Sequence, residues 1–120
     1  MPRFAILTHD YPELHWDFLL EKDAGLRTWR LQLPPDHAGG IPALPLSDHR
    51  RDYLDYEGPV SGGRGSVRQW DTGEFEAREV TDRVVRVRLQ GSRLRGEASL
   101  SIGPSGAWVF TFVSDPASLP

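Results

Sequence analysis

Apolar and polar residues alternate with a period of two along most of the chain. Phe4, Ile6 and Thr8 alternate with Ala5 and Leu7 in a first short strand that ends at Asp10–Pro12. From Leu14 the alternation resumes, with Trp16, Phe18 and Leu20 pointing one way and His15, Asp17, Leu19 and Glu21 the other. Lys22–Gly25 supplies a turn, and Leu26 to Leu33 returns as the partner strand of a hairpin. Pro34 to Gly40 reads as a loop. Ile41 to Leu46 reads as a strand that Pro42 and Pro45 either confine to an edge or leave as extended coil. Ser66–Trp70 and Glu74–Val80 are predicted as two strands joined by a turn at Asp71–Gly73.

The clearest meander follows. Val85, Val87 and Leu89 face one side, then Leu94, Ala98, Leu100 and Ile102, then Trp108, Phe110 and Phe112, with turns at QGSR and GPSG. A QGSR hairpin pairing Leu89 with Leu94 would set Arg88 opposite Arg95 and Arg86 opposite Glu97. Such a strip is either a solvated face or a contact for a nucleic-acid backbone. The one departure from strand is a turn near Asp48–Tyr53, and the closing DPASLP is expected to fray. The pattern predicts a mainly all-β fold, a small compact β-barrel of about eight short strands with few or short helices. Residues 1–120 are expected to form one domain.

Composition narrows the chemistry. No apolar run is long enough to span a bilayer, and MPRFAILTHD lacks the form of a cleavable signal, so no membrane role is expected. The chain has no cysteine, which removes disulfides and thiolate-bound metals and points to the cytoplasm. Any metal must therefore be held by histidine and carboxylate. A net charge of −3 does not mark a nucleic-acid binder, yet Lys22 is the sole lysine and all other basic residues are arginine. That bias fits a GC-rich coding sequence, and it also supplies the better bidentate partner for phosphate.

The segment THDYPELHWDFLLE concentrates the candidate chemistry. His15 and Asp17 are two apart on a strand and project from one face, roughly 7 Å apart along the chain. His9 comes from the end of the preceding strand, folded back by the intervening turn. Two imidazoles and one carboxylate suit zinc, manganese or iron with positions open to water or substrate. The spacing fits hydrogen-bonded, partly buried histidines equally well.

THDYPELHWDFLLE resembles KHDASHLHYDFRLE, the motif that opens the 3′-phosphoesterase domain of bacterial DNA ligase D, with both histidines and the aspartate in register. LRTW resembles LKSW, SDHRRDYLDYEG resembles EDHPLDYADFEG, SGGRGSVRQWDTGEFE resembles GNYGAGTVIVWDRGTW, and VRLQGSRLRGEASL resembles FRLHGEKLKGRWAL. The resemblance implies a compact β-barrel with one divalent metal, manganese first, with zinc or iron as alternatives. It implies an enzyme that removes a 3′-terminal ribonucleotide or a 3′-phosphate in DNA repair. His9, His15 and Asp17 would be the metal ligands, and His49 and Tyr53 the catalytic residues that contact phosphate. The implied partners are nucleic-acid 3′ ends of the primer–template kind, alongside ligase or polymerase repair proteins.

Departures from the family motifs set a second reading beside the first. The family arginine of DFRLE falls at Leu19, a second arginine at Ile41, and the lysine of WAVPKG near Leu33. The family's charged N-terminal arm is also expected to be missing, since the first strand begins at Arg3. Each charge-assisted hydrogen bond lost from a phosphate site costs roughly 1.5–3 kcal/mol. Arg64 in the SGGRG loop, with Arg50 and Arg51 beside His49, are the candidate replacements for binding substrate. The alternative to an enzyme is a catalytically weakened, metal-containing module that binds nucleic-acid ends or a repair partner. A cupin-like iron site would also use two histidines and a carboxylate, but the glycine-rich and DYLDYEG motifs do not suit it.

Overall fold

The computed structural model describes residues 1–116. Its strands are β1 (Arg3–His9), β2 (His15–Lys22), β3 (Gly25–Leu31), β4 (Ile41–His49), β5 (Gly58–Pro59), β6 (Ser66–Val80), β7 (Val84–Gly91), β8 (Arg95–Ile102) and β9 (Trp108–Ser114). One 3-10 turn, Arg51–Leu54, lies where the sequence predicts a turn. The sheet runs β1-β2-β3-β4-β9-β8-β7-β6, and β6 pairs back onto β1, which closes an eight-stranded antiparallel barrel with β5 as a short addition to β6. The predicted fold class stands. Closure leaves few free edges, and the inward set of each alternating strand fills the lumen. Phe4, Ile6, Phe18, Leu20, Trp29 and Phe110 belong to that core. Among the described residues no helix is long and apolar enough to cross a membrane.

β1 and β2 are buried on both faces. The outward residues Ala5, Leu7, Leu19 and Leu26 form a second apolar cluster with Leu54 and Val67, and Tyr53 and Val60 pack against it. The chain between β4 and β6 crosses the outer face here and covers it. Alternation identifies the outward set, but not the segment that covers it.

Two expectations are corrected. Ser66–Val80 is one bent strand rather than two strands and a turn: Val67–Glu74 pairs with β1 and Gly73–Val80 with β7. A bulge in β6, where Trp70 is the extra residue opposite Ile6 and Leu7 of β1, sharpens the bend. Gly73 permits it, because a Cβ there would lie 2.1 Å from the Gln90 carbonyl oxygen. The β7–β8 register also differs, pairing Leu89 with Gly96, Arg88 with Glu97 and Arg86 with Ser99. Arg88 pairs with Asp115 and Arg86 with Glu79 and Glu97, so two of the three arginines of the strip meet carboxylates, while Arg95 donates to the Gly91 carbonyl. Fraying of DPASLP falls largely outside the described residues. Asp115, which is described, is tied to Arg88 and donates its N–H to the Arg95 carbonyl. As for the prolines, β4 pairs with β9 only over Ile41–Ala43 and is open on that side at Pro45.

Asp71 explains the shifted register. Its Oδ1 accepts the N–H groups of Thr72, Ser92 and Arg93 at 2.8–3.0 Å, and its Oδ2 accepts that of Leu94 at 2.9 Å. The turn is thereby built around a buried carboxylate, closed by a hydrogen bond from Gly91 N–H to the Leu94 carbonyl. Asp71→Ala is expected to destabilise the protein by about 3–4 kcal/mol, because four backbone donors, that of Leu94 buried and the others partly buried, lose a charged acceptor at once. Denaturant unfolding measures this, and a loss below about 1 kcal/mol would show that water substitutes for the carboxylate.

Candidate metal centre

The turn between β1 and β2, which contains a cis Tyr11–Pro12 peptide, brings the adjoining strand ends side by side. His9 is the ladder partner of His15, and Leu7 that of Asp17. One potential ligand atom from each of His9, His15 and Asp17 lies within 4.8 Å of the others. His15 Nε2 stands 3.3 Å from Asp17 Oδ1, and His9 Nδ1 stands 3.7 Å from Asp17 Oδ2. The two imidazole centroids are 4.8 Å apart. The three side chains converge on one small volume.

A backbone carbonyl orients each ring. His15 Nδ1–H donates to the Glu13 carbonyl at 2.9 Å, and His9 Nε2–H donates to the Arg64 carbonyl at 2.8 Å. Those bonds set the tautomers and turn the bare nitrogens, His15 Nε2 and His9 Nδ1, toward Asp17. His15 and Asp17 are each 3% exposed. Although His15 Nε2 and Asp17 Oδ1 are close, their geometry is not that of a hydrogen bond, and both atoms are buried without a partner. Buried lone pairs facing one another are costly. A divalent cation among them satisfies all three groups, so the donor set fits the implied metal. Imidazole and carboxylate accept manganese, zinc and iron alike.

The orienting carbonyls escape sequence reasoning. One of them depends on a glycine: Gly65 has φ +70°, and a Cβ there would lie 2.2 Å from Asp10 Oδ1. Only a residue without a side chain lets the SGGRG loop close on the end of β1 and present the Arg64 carbonyl to His9. Asp10 Oδ1 accepts the Ser66 N–H at 2.8 Å, which holds this carboxyl below its usual range and pins the loop.

The remaining candidates lie elsewhere on the same outer face. His49 pairs with Leu26, itself opposite Glu21, which is four residues beyond Asp17 on β2 and so roughly 13 Å along the strand. Leu19 and its apolar cluster lie between. His49 Nδ1–H donates to the Ser47 carbonyl at 3.1 Å, which leaves Nε2 free, and its ring meets Tyr53 edge-on at 5.7 Å. Arg50 lines one cleft with Tyr53 and Tyr56, and another with His49 and Lys22. Arg51 pairs with Glu21 and donates to the Asp23 carbonyl. The Arg64 guanidinium is turned back onto Ser61, so Arg64 meets the triad through its carbonyl rather than its charge. At the positions of the family cations, Leu19 and Ile41 are fully buried and Leu33 is exposed.

Residues 7–101 match the family model for the DNA Ligase D 3′-phosphoesterase domain. The chain is similar to the "Multifunctional non-homologous end joining protein LigD" of Pseudomonas aeruginosa, 38% identical over 78 residues, which is 61% of this chain and 9% of that protein. It is also similar to the protein of that name from Mycobacterium bovis, 30% identical over 115 residues, which is 88% of this chain and 15% of the relative. The "Multifunctional non-homologous end joining DNA repair protein LigD" of Mycobacterium tuberculosis matches to the same extent. The chain thus spans 9–15% of the length of the curated relatives it matches.

Proposed function

This chain belongs to the DNA ligase D 3′-phosphoesterase domain family, and on that premise we propose that it is a metal-dependent phosphoesterase acting on 3′ ends of nucleic acid in DNA repair. The observation that carries the reading is the buried convergence of His15 Nε2, His9 Nδ1 and the Asp17 carboxylate, each imidazole held by a carbonyl on its far side. Manganese is the proposed ion. When bound, it lends Lewis acidity to a phosphoryl oxygen and acidifies water.

The residues around it position the substrate. The Glu13 and Arg64 carbonyls keep both rings in the ligating tautomer, while the Ser66–Asp10 hydrogen bond keeps the glycine-rich loop in place. His49, with Nδ1–H committed to the Ser47 carbonyl, presents Nε2, which in the protonated ring donates to a phosphate oxygen or gives its proton to the leaving oxygen. Tyr53 and Arg50 flank it and supply a hydroxyl and a cation. A nucleotide end lying over the segment that covers Leu19 would reach both groups of residues.

The test is a primer–template ending in a 3′-phosphate or a single 3′ ribonucleotide, incubated with purified protein and manganese. Release is expected only with metal, about 100-fold or more slower in Asp17→Asn, and unchanged in Glu76→Ala, whose side chain is exposed far from the triad. One observation favours a second reading: Leu19 and Ile41 fill two of the family's cation positions with buried hydrocarbon. Manganese binding and duplex-end affinity without release from either substrate would make the protein a binding module instead.

A further inference from the structure

The hairpin of β2 and β3 places Arg30 directly opposite Asp17. Ladder partners present their side chains on the same face with Cβ atoms about 4.5–5.5 Å apart, so Arg30 rises beside the triad on the outer surface. It lines a cleft of about 140 Å³ with His15, Glu13 and Gln32. Its Nε is buried and has no hydrogen-bond partner, and none of the ion pairs among the described residues uses its guanidinium. A cation next to a carboxylate would ordinarily pair with it. Here the Asp17 oxygens are turned toward the two imidazoles instead, and Arg30 keeps its donors for something else.

We infer that Arg30 binds the phosphate group of the substrate, its planar donors meeting oxygens of a phosphate seated at the triad. The inference rests on the triad's holding a metal and names the cation that completes that site. Guanidinium suits the role because it offers several N–H donors in one plane and stays charged. Neither Leu19 nor Ile41 offers a charge on this side, since both are fully buried apolar residues. Gln32 borders the same cleft and extends the polar rim. Glu13 also borders it, and its negative charge limits the cleft to a ligand whose charge the metal and Arg30 together offset.

Inorganic phosphate is the probe. It is titrated by calorimetry into the full chain, with and without manganese, for the wild type, Arg30→Gln and Arg30→Lys, and manganese affinity is measured on the same samples from the spin-resonance signal of the free ion. In the loaded protein Arg30→Gln is expected to weaken phosphate binding at least about tenfold. Its manganese affinity should be unchanged or tighter, because a neighbouring cation has been removed, and Arg30→Lys should regain part of the phosphate affinity. Equal phosphate binding by Arg30→Gln and wild type overturns the assignment. So does a parallel loss of manganese affinity, which would mark Arg30 as a support for the metal ligands. Should the wild type take up no manganese, the metal reading fails separately and metal-free phosphate binding decides for Arg30. Loss in Arg30→Gln then upholds the assignment, and equal binding, or none by the wild type, overturns it.

Discussion

Replacing His15 with alanine is expected to abolish the stabilisation that manganese confers on this protein. In the wild type, ion at 100 times its dissociation constant should add about 2.7 kcal/mol to folding stability. For a domain of this size that is an upward shift in melting temperature of roughly 10 °C. The shift depends on three protein donors, and His15 supplies the most buried nitrogen of the set, Nε2, which has no partner within the protein. Loss of a ligand should cost more than the roughly 10–100-fold in affinity typical of losing a residue that merely supports one. At a fixed ion concentration the variant's melting curve should therefore not move. Without metal, wild type and variant should differ less than a core deletion normally implies, because the substitution also removes a lone pair facing the Asp17 carboxylate 3.3 Å away. Thermal unfolding across a manganese titration checks both statements. A shift of equal size in His15→Ala would place the ion somewhere other than this pocket.

What the sequence reveals about the site follows from the period of a strand. Two residues apart on a strand means one face, so His15 and Asp17 had to project together, and a short turn had to bring His9 beside them. Arg30 was legible by the same logic. A two-residue turn at Asp23–Ala24 pairs Lys22 with Gly25 and carries the register back to Asp17 and Arg30. The hairpin alone does not single out that pair; the length of its turn does. Other features have no periodic signature. Asp71–Gly73 carries turn chemistry, yet the Asp71 carboxylate gathers backbone N–H groups from a distant hairpin and the chain bends there without reversing. That gathering also displaced the β7–β8 register from the one a tight QGSR turn would give. The cover over Leu19 comes from irregular chain, where Leu54, Tyr53 and Val60 follow no repeat.

Restoring an arginine at position 19 is expected to damage the protein rather than improve its site. Leu19 is fully buried, packed with Leu7, Leu26, Leu54 and Val67 beneath the chain that crosses from β4 to β6. A guanidinium there would lose its hydration without a free carboxylate to meet it: of its two outward neighbours on β2, Asp17 is turned to the two imidazoles, and Glu21 is paired with Arg51 and accepts the Arg3 N–H. An unpaired buried charge costs several kcal/mol even after relaxation, which is a large part of the roughly 5–15 kcal/mol that stabilises a typical domain. Leu19→Arg should therefore lower stability by about 4 kcal/mol or more, or lift the Arg50–Gly65 segment off the barrel. Leu19→Met, which keeps volume and polarity, should cost less than about 1.5 kcal/mol. Denaturant unfolding of both variants, with proteolysis in the 50–65 segment as a local probe, separates the two outcomes for arginine. If Leu19→Arg instead unfolds within about 1 kcal/mol of the wild type and binds inorganic phosphate more tightly, the outer cluster yields easily. The apolar cover would then be no barrier to a cation beside the metal, and Arg30 would have no special claim to that place.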